Sequence, residues 1–221
     1  MIYLNHHSAS CSHFPDEILK ILQTRTQVTY YPKEIICKQG AFANHVLLLI
    51  DGLVRVFIQA GEEKQINVRL AQGGDYLAFS SIFVDPVYPF SAVALKETHV
   101  CMIEKEEMKQ LLLDFPDFAL NLITESFKLE SRFIEIIYQL SSKQMRGKLA
   151  AALLYLSSDE FKNSGVLELL TRQELADFAQ IGIESAIKFL KELEKEKVIT
   201  IQGRAIAIEN RNLLTDLCRK G

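Results

Sequence analysis

The sequence predicts an α+β chain in three parts: an N-terminal antiparallel β-roll (a double-stranded β-helix), a long dimerisation helix and a C-terminal winged helix-turn-helix. Three observations carry that class. Short β runs split by turn residues fill the region from about Val28 to Ile103. An uninterrupted helical pattern with apolar residues at steps of three and four follows from about Asp117 to Leu140. The stretch TRQELADFAQIGIESAIKFLKELEKEKVITIQGRAIAI, Thr171 to Ile208, then reads as two helices and a hairpin. The expected boundaries are 1–114, 115–142 and 143–221.

PDEILKILQT, residues 15–24, reads as a short helix. The strands that follow are VTYY, EIICKQG, HVLLLIDGLVRVFIQ, KQINVRLAQGGDYLAF and SAVALKETHVCMIE, punctuated by Gly40, Gly52, Gly61 and Gly73-Gly74. KEEMKQLLLDFP returns to helix, and Pro116 marks a new start.

In the long helix Ala119, Leu122, Ser126, Leu129, Phe133, Ile136 and Leu140 form a coiled-coil seam over three heptads. A second stripe, Leu120, Ile123, Phe127, Ile134 and Ile137, also needs cover, most simply from the β-domain. A helix with two apolar faces is either a dimer axis or a fully buried helix of a monomer. Its place between two domains favours the dimer.

Thr171 and Glu174 are spaced as a capping box opening the first helix of the C-terminal pair. Leu175, Phe178 and Ala179 give that helix a buried stripe, and a break falls at Gln180-Ile181-Gly182. In the second helix Ala186, Phe189, Leu190 and Leu193 share an inward face. Ile183, Glu184, Ile187, Lys188 and Lys191 are left outward near its N-terminus, where a recognition helix reaches base edges. Glu184 can accept from a cytosine amino group, Lys188 can donate to guanine, and Ile187 suits a thymine methyl. The Thr171 hydroxyl, Arg172 and Gln173 stand where a helix N-terminus meets phosphate. Gln202-Gly203-Arg204 turns the hairpin and places Arg204 at its tip. The competing view is an ordinary helical hairpin with a solvated charged face; the wing, the capping box and the exposed isoleucine favour DNA.

At 221 residues and 48% hydrophobic content, the chain can bury one large core or two smaller ones. The net charge of -3 advertises no bulk affinity for nucleic acid, but its distribution is uneven. Lys and Arg number 12 against 17 Asp and Glu over residues 1–142, and 13 against 11 over residues 143–221. No apolar run approaches the roughly 18 residues of a membrane span, and MIYLNHHSAS lacks the layout of a signal peptide. Cys11, Cys37, Cys101 and Cys218 are scattered without paired spacing, the usage of a reducing cytoplasm. A cytoplasmic chain without membrane contact is expected. No G-x-S-x-G, H-E-x-x-H, G-x-x-x-x-G-K-[ST], G-x-G-x-x-G or C-x-x-C motif is present, and nothing gathers a nucleophile, base and orienter, so no enzyme is read.

The order of roll, long helix and winged helix-turn-helix resembles the Crp/Fnr transcription regulators over almost the whole chain. QGAFANHVLLLIDGLVRVFI and AQGGDYLAFSSIF in the roll, and LTRQELADFAQIGIESAIKFLKELEKEKVITIQGRAIAI beyond it, carry the likeness. It implies double-stranded DNA as partner, a palindromic operator read by a homodimer, and RNA polymerase as a further partner. The family's reading positions fall on Ile183, Glu184, Ile187 and Lys188, with Lys188 replacing an arginine and Gln180 standing where such turns often have glycine. Cyclic-AMP-binding members follow the Gly-Asp of the roll with Gly-Glu and Arg-Ser. Here those positions are Ala78-Phe79 and Phe90-Ser91, so both charged groups are lost and cyclic AMP is not expected.

Tyr76, Phe79, Phe83, Tyr88, Phe90 and Ser91 instead suggest an aromatic effector pocket, self-filled or open to a small apolar ligand. With Cys11 alone near the start, the family's four-cysteine iron–sulfur cluster cannot be assembled. His6, His7, Cys11 and His13 are metal-capable, but a floppy terminus explains them as well, and no metal site is assigned. Haem stays open through His45, His99 or a methionine, with no spacing that singles one out. A β-roll sensor acting through protein partners, without sequence-specific DNA binding, is the rival reading.

Overall fold

The computed structural model describes residues 15–61, 64–84 and 86–221. The chain divides into two compact units, one formed by the residues before Gln65 with Val68–Glu130, the other by Gln65–Asn67 with Ser131–Gly221. The division falls inside the long helix. His6, His7, Cys11 and His13 lie outside the described residues.

Among the described residues the first unit opens with α1 (Asp16–Gln23) and a β-roll of eight strands: β1 (Gln27–Tyr30), β2 (Ile35–Cys37), β3 (His45–Asp51), β4 (Leu53–Gln59), β5 (Gln65–Gln72), β6 (Tyr76–Leu77), β7 (Ser91–Ala94) and β8 (Thr98–Glu104). They form two four-stranded sheets, in the orders β1-β8-β3-β6 and β2-β7-β4-β5. Central β3 reads HVLLLID because both of its faces are covered. Val46, Leu48 and Ile50 join Cys101 and Ile103 in one core, under Ile18, Leu19 and Leu22 of α1. Leu47 and Leu49 point the other way, against Val54, Val56, Leu77, Ala92 and Val100 inside the roll. Gly52 joins the two sheets at φ 121. A Cβ there would come within 2.4 Å of Thr98 Oγ1 and 2.6 Å of its Cα, so glycine is required by both dihedral and space.

A 3₁₀ turn, Phe79–Ile82, and α2 (Lys105–Asp114) complete the first unit and lead into α3 (Pro116–Ser142). Phe118 and Leu122 of α3 are buried in the core with α1 and α2. This corrects the expected cover of the two stripes. Leu122 of the predicted seam packs into its own unit, Ala119, Leu129, Phe133 and Ile136 are half-buried, and Ser126 is exposed. The stripe assigned to the β-domain is the exposed one: Leu120, Ile123, Phe127, Ile134 and Ile137 all lie open. The side chain of Leu140 is outside the described residues. Adjacent stripes differ by one position, a rotation of about 100°, and at the start of α3 Phe118 and Leu122 are the residues turned into the core.

The second unit holds the end of α3, then α4 (Met145–Leu156), α5 (Val166–Leu169), α6 (Arg172–Ala179), α7 (Ile183–Lys195), β9 (Ile199–Gln202), β10 (Ala205–Ile208) and α8 (Arg211–Lys220). α4 is its central helix, with Leu149, Ala150, Leu153 and Leu156 essentially inaccessible. Asn210 caps α8 by accepting from the Leu213 N–H at 2.9 Å.

Candidate nucleic-acid interface and sensor site

α6 begins with the expected capping box. Thr171 Oγ1 accepts from the Glu174 N–H at 3.1 Å, while Glu174 Oε2 accepts from the Thr171 N–H at 2.8 Å. The hydroxyl of Thr171 also donates to that carboxylate at 2.9 Å. It is therefore committed to the cap, and the outward donors at this helix start are backbone N–H groups. The Gln173 amide is likewise engaged, donating to Asp177 at 2.8 Å.

The turn into α7 is made by Gln180 in the left-handed region, φ 50 and ψ 46, where a glycine would be unstrained. Ile181 donates back to Ala176 at 3.1 Å, closing the C-terminal cap. Gly182, at φ -65, is the N-cap of α7. Ala176, Ala179 and Ala186 have no accessible surface, so small side chains allow α6 and α7 to cross closely. Leu175, Leu190 and Leu193 complete the buried seam, with Phe178 and Phe189 half-buried at its edge.

The opposite face of α7 presents Ile183, Glu184, Ile187, Lys188 and Lys191, all exposed. Ile183 and Ile187 keep 37% and 38% of their surface open, in a helix whose other apolar residues are covered. The Lys188 ammonium lies 5.6 Å from the ring centre of neighbouring Phe189, an exposed cation–π contact of about 0.5–1 kcal/mol that a base edge can displace. β9 and β10 pair antiparallel with Gln202 opposite Ala205, so the tight turn is Gly203-Arg204. Gly203 alone of the two has a positive φ, 61, the pattern of a type II′ hairpin.

Arg172 departs from expectation. Its guanidinium donates to the wing-tip carbonyls of Arg204 at 3.0 Å and Gly203 at 2.9 Å, 32 and 31 residues away in sequence. Glu194 holds the wing as well, its Oε1 accepting from the Ile201 N–H at 3.1 Å. Sequence reasoning missed all three bonds, because none follows from a helical or strand period.

The aromatic residues of the roll do not line one pocket, which corrects that expectation. Tyr76 and Phe79 pack against the core shared with α1 and α2, and Tyr88 and Phe90 against the interior of the roll. Ser91 is structural, accepting from the Gln39 N–H at 3.0 Å. Within the roll, burial pushes the Cys37 thiol and the Tyr88 phenol each up to about 12, Tyr88 with help from Cys37 and Tyr30. Cys37 is thus a neutral thiol, poorly suited to redox chemistry. His99 is buried beside Thr29, with Nδ1 and Oγ1 3.0 Å apart.

A cyclic nucleotide does not fit these residues. Ala78 is buried with φ 60, Phe79 faces the helices, and Tyr88 and Phe90 fill the interior with no cation at the phosphate-pairing position. Outside the roll interior, Phe79 and Phe83 line a wholly apolar groove of about 460 Å³ with Leu112, Leu113, Ala119 and Ile123, and Lys109 at its edge. Among the described residues no cluster of three His, Cys, Asp or Glu could hold a metal, and no helix is long and apolar enough to cross a membrane.

A jelly-roll-like β-domain followed by a winged helix-turn-helix is the architecture of a class of DNA-binding transcription regulators. The cyclic nucleotide-binding domain model matches residues 27–115 and the Crp-like helix-turn-helix domain model residues 147–217, together most of the chain. The chain belongs to the Crp/Fnr family. It is 25% identical over 208 residues to the anaerobic regulatory protein of Bacillus subtilis, covering 90% of this chain and 85% of that one. It is 23% identical over 198 residues to the cAMP-activated global transcriptional regulator CRP of Salmonella typhimurium, covering 87% and 94%. The structure of FixK2 from Bradyrhizobium japonicum superposes with a TM-score of 0.77 at 19% identity, covering 88% of this chain and 97% of that one. The two curated relatives are by name a regulatory protein and a transcriptional regulator.

Proposed function

We propose that the protein binds a palindromic operator as a homodimer and responds to a signal received at the β-roll. The observation that carries the reading is the exposed face of α7, where two isoleucines stand beside Glu184, Lys188 and Lys191. Leaving Ile183 and Ile187 in water is unfavourable unless the face has a partner, and thymine methyl groups supply one. Glu184 reads a cytosine amino group. Lys188 contacts guanine as a single point charge, without the bidentate fork of an arginine. Arg204 and the N-terminus of α6 meet flanking phosphates.

The two-fold arrangement is supported by α3, whose open stripe Leu120, Ile123, Phe127, Ile134 and Ile137 repeats at coiled-coil spacing. Paired helices would carry two recognition helices to half-sites one turn apart, about 34 Å. The signal is an apolar effector or a change in packing rather than a cyclic nucleotide. Phe79 lines the same groove as Ala119 and Ile123 of the long helix. A change there shifts the balance between two dimer arrangements. Phe90 packs against the interior cluster of the roll. RNA polymerase is the partner through which occupancy of the operator is read out, in the cytoplasm.

Selection of duplexes from a random-sequence library tests this reading. Recovered sites should share a two-fold motif, and binding should weaken steeply with salt. Recovery of no motif, or unchanged binding by Glu184→Ala and Lys188→Ala together, would refute it.

A further inference from the structure

We propose that Arg172 is a positioning residue for DNA binding: it clamps the wing tip to the start of α6, so that both surfaces meet the phosphate backbone as one pre-formed unit. The inference rests on the DNA-binding reading above and names what holds one part of that surface in place.

The wing is a hairpin of two four-residue strands, a unit with marginal stability on its own. Its base is fixed by Ile199, opposite Ile208, while Ile206, opposite Ile201 and one pair short of the turn, is buried as well; the two are 1% and 5% exposed. On that second rung the Ile201 N–H is also held by Glu194. The tip, Gln202-Gly203-Arg204, is exposed and lies roughly 13 Å from the base at about 3.3 Å per residue. Arg172 supplies the anchor at that end. Its two terminal nitrogens reach two successive carbonyls, of Gly203 and Arg204, at 2.9 and 3.0 Å. A planar guanidinium spans such a pair, whereas a lysine ammonium is one point charge on a flexible stem.

Two consequences follow for phosphate recognition. The carbonyl oxygens at the wing tip would turn partial negative charge toward an approaching phosphate, and Arg172 covers them with a cation. Arg204 is the next side chain along, so its direction is set before DNA arrives and less ordering remains to be done on binding. The guanidinium has five N–H donors and the clamp engages two nitrogens, so a direct phosphate contact by Arg172 is the rival explanation.

The experiment uses the full chain and a duplex of about 30 base pairs, long enough for two half-sites one turn apart, recovered by selection with the wild-type protein. Arg172→Lys keeps the charge and removes the fork. The clamp predicts that it weakens binding about tenfold per half-site, about 100-fold for the dimer and nearly as much as Arg172→Gln, as expected for loss of one charge-assisted hydrogen bond in each subunit. It also predicts that the slope of log affinity against log salt falls by about 1.8, because Arg204 of each of the two subunits loses its phosphate although no charge was removed. Adding Arg204→Ala to Arg172→Lys should then cost nothing more. In the free protein, backbone ¹⁵N order parameters at Gly203 and Arg204 should drop in Arg172→Lys from about 0.85 toward 0.6.

Wild-type affinity and slope in Arg172→Lys would overturn the proposal, as would additive losses with Arg204→Ala. Unfolding of the domain by Arg172→Lys would overturn it too, since the residue would then serve the fold rather than the interface. If the wild-type protein recovers no duplex, the DNA-binding reading has failed; the order parameters still decide whether Arg172 holds the tip.

Discussion

Truncating Ile134 to alanine tests the paired α3 helices without disturbing the fold. Ile134 keeps 64% of its surface open in the single chain, so little of its contribution is spent on the protomer's own core. The change removes three carbons. At about 0.8 kcal/mol per buried CH₂, scaled by the open fraction, covering them is worth about 1.5 kcal/mol per copy. Two-fold symmetry counts the loss twice, giving about 3 kcal/mol, or a dimer dissociation constant roughly 150-fold weaker. Alanine is the better helix former by several tenths of a kcal/mol, so a weakened dimer cannot be traced to a frayed helix. Sedimentation equilibrium over a range of concentrations measures the constant. Lys128→Ala, on another face and in an exposed ion pair with Glu125, is the control that should change little. An unchanged constant in Ile134→Ala, or an equal loss in the control, would refute the assignment of this stripe to the dimer.

Other outcomes are equally definite. Ile187→Ala should weaken the selected operator by about tenfold per half-site, about 100-fold for the dimer and close to the lower end of the 1–3 kcal/mol expected for each base contact, and relax the preference at one position in each half-site; a uniform loss across all sequences would contradict a reading role. Gly52→Ala should lower the thermal midpoint by many degrees, because a left-handed dihedral and a 2.4 Å overlap with Thr98 are imposed together; a midpoint within a degree of wild type would contradict it. Alkaline stability should fall as pH rises from about 9 toward about 12. In that window the unfolded chain releases the Cys37 proton, whose ordinary value is 9.0, while the folded chain retains it up to about 12. Urea titrations at stepped pH should show this limb flattened in Cys37→Val, and an identical limb in that variant would refute the assignment.

How much of this was legible in the sequence depended on whether a local pattern had one solution. The capping box at Thr171 and Glu174 did, because both groups of the reciprocal bond lie within one turn of helix. So did the alternation in β9 and β10 around Gly203. The run HVLLLID could be read as strand because β-branched and apolar residues end at Asp51-Gly52, where only a turn is sterically possible. α4 gave no comparable signal: MRGKLAAALLYL is apolar on most sides, so no stripe announces a face. α8 buries Leu214 and Cys218 alone and depends on the Asn210 cap. The stripes of α3 illustrate the opposite difficulty. Both have the right period, and period alone does not say which of them turns into the core, as Leu122 does.

The aromatic residues after Asp75 were misplaced for a related reason. Composition grouped Tyr76, Phe79, Phe83, Tyr88 and Phe90, but the chain turns over between them. Ala78 takes φ 60 and opens the 3₁₀ turn, which sends Phe79 to the helices while Tyr88 and Phe90 return to the interior. The scaffold of that segment is polar and intact: Asp75 accepts from the Gln72 N–H at 2.8 Å and from Arg69 at 3.2 Å. Phe79 lies edge-on to Phe83, with ring centres 6.0 Å apart, and lines the apolar groove that Ala119 and Ile123 of the long helix also line. The turn therefore places an aromatic side chain, rather than a charged one, on that groove. Under the proposed function this restricts the signal to something that alters apolar packing, and it places the first movement at Phe79 rather than at Phe90.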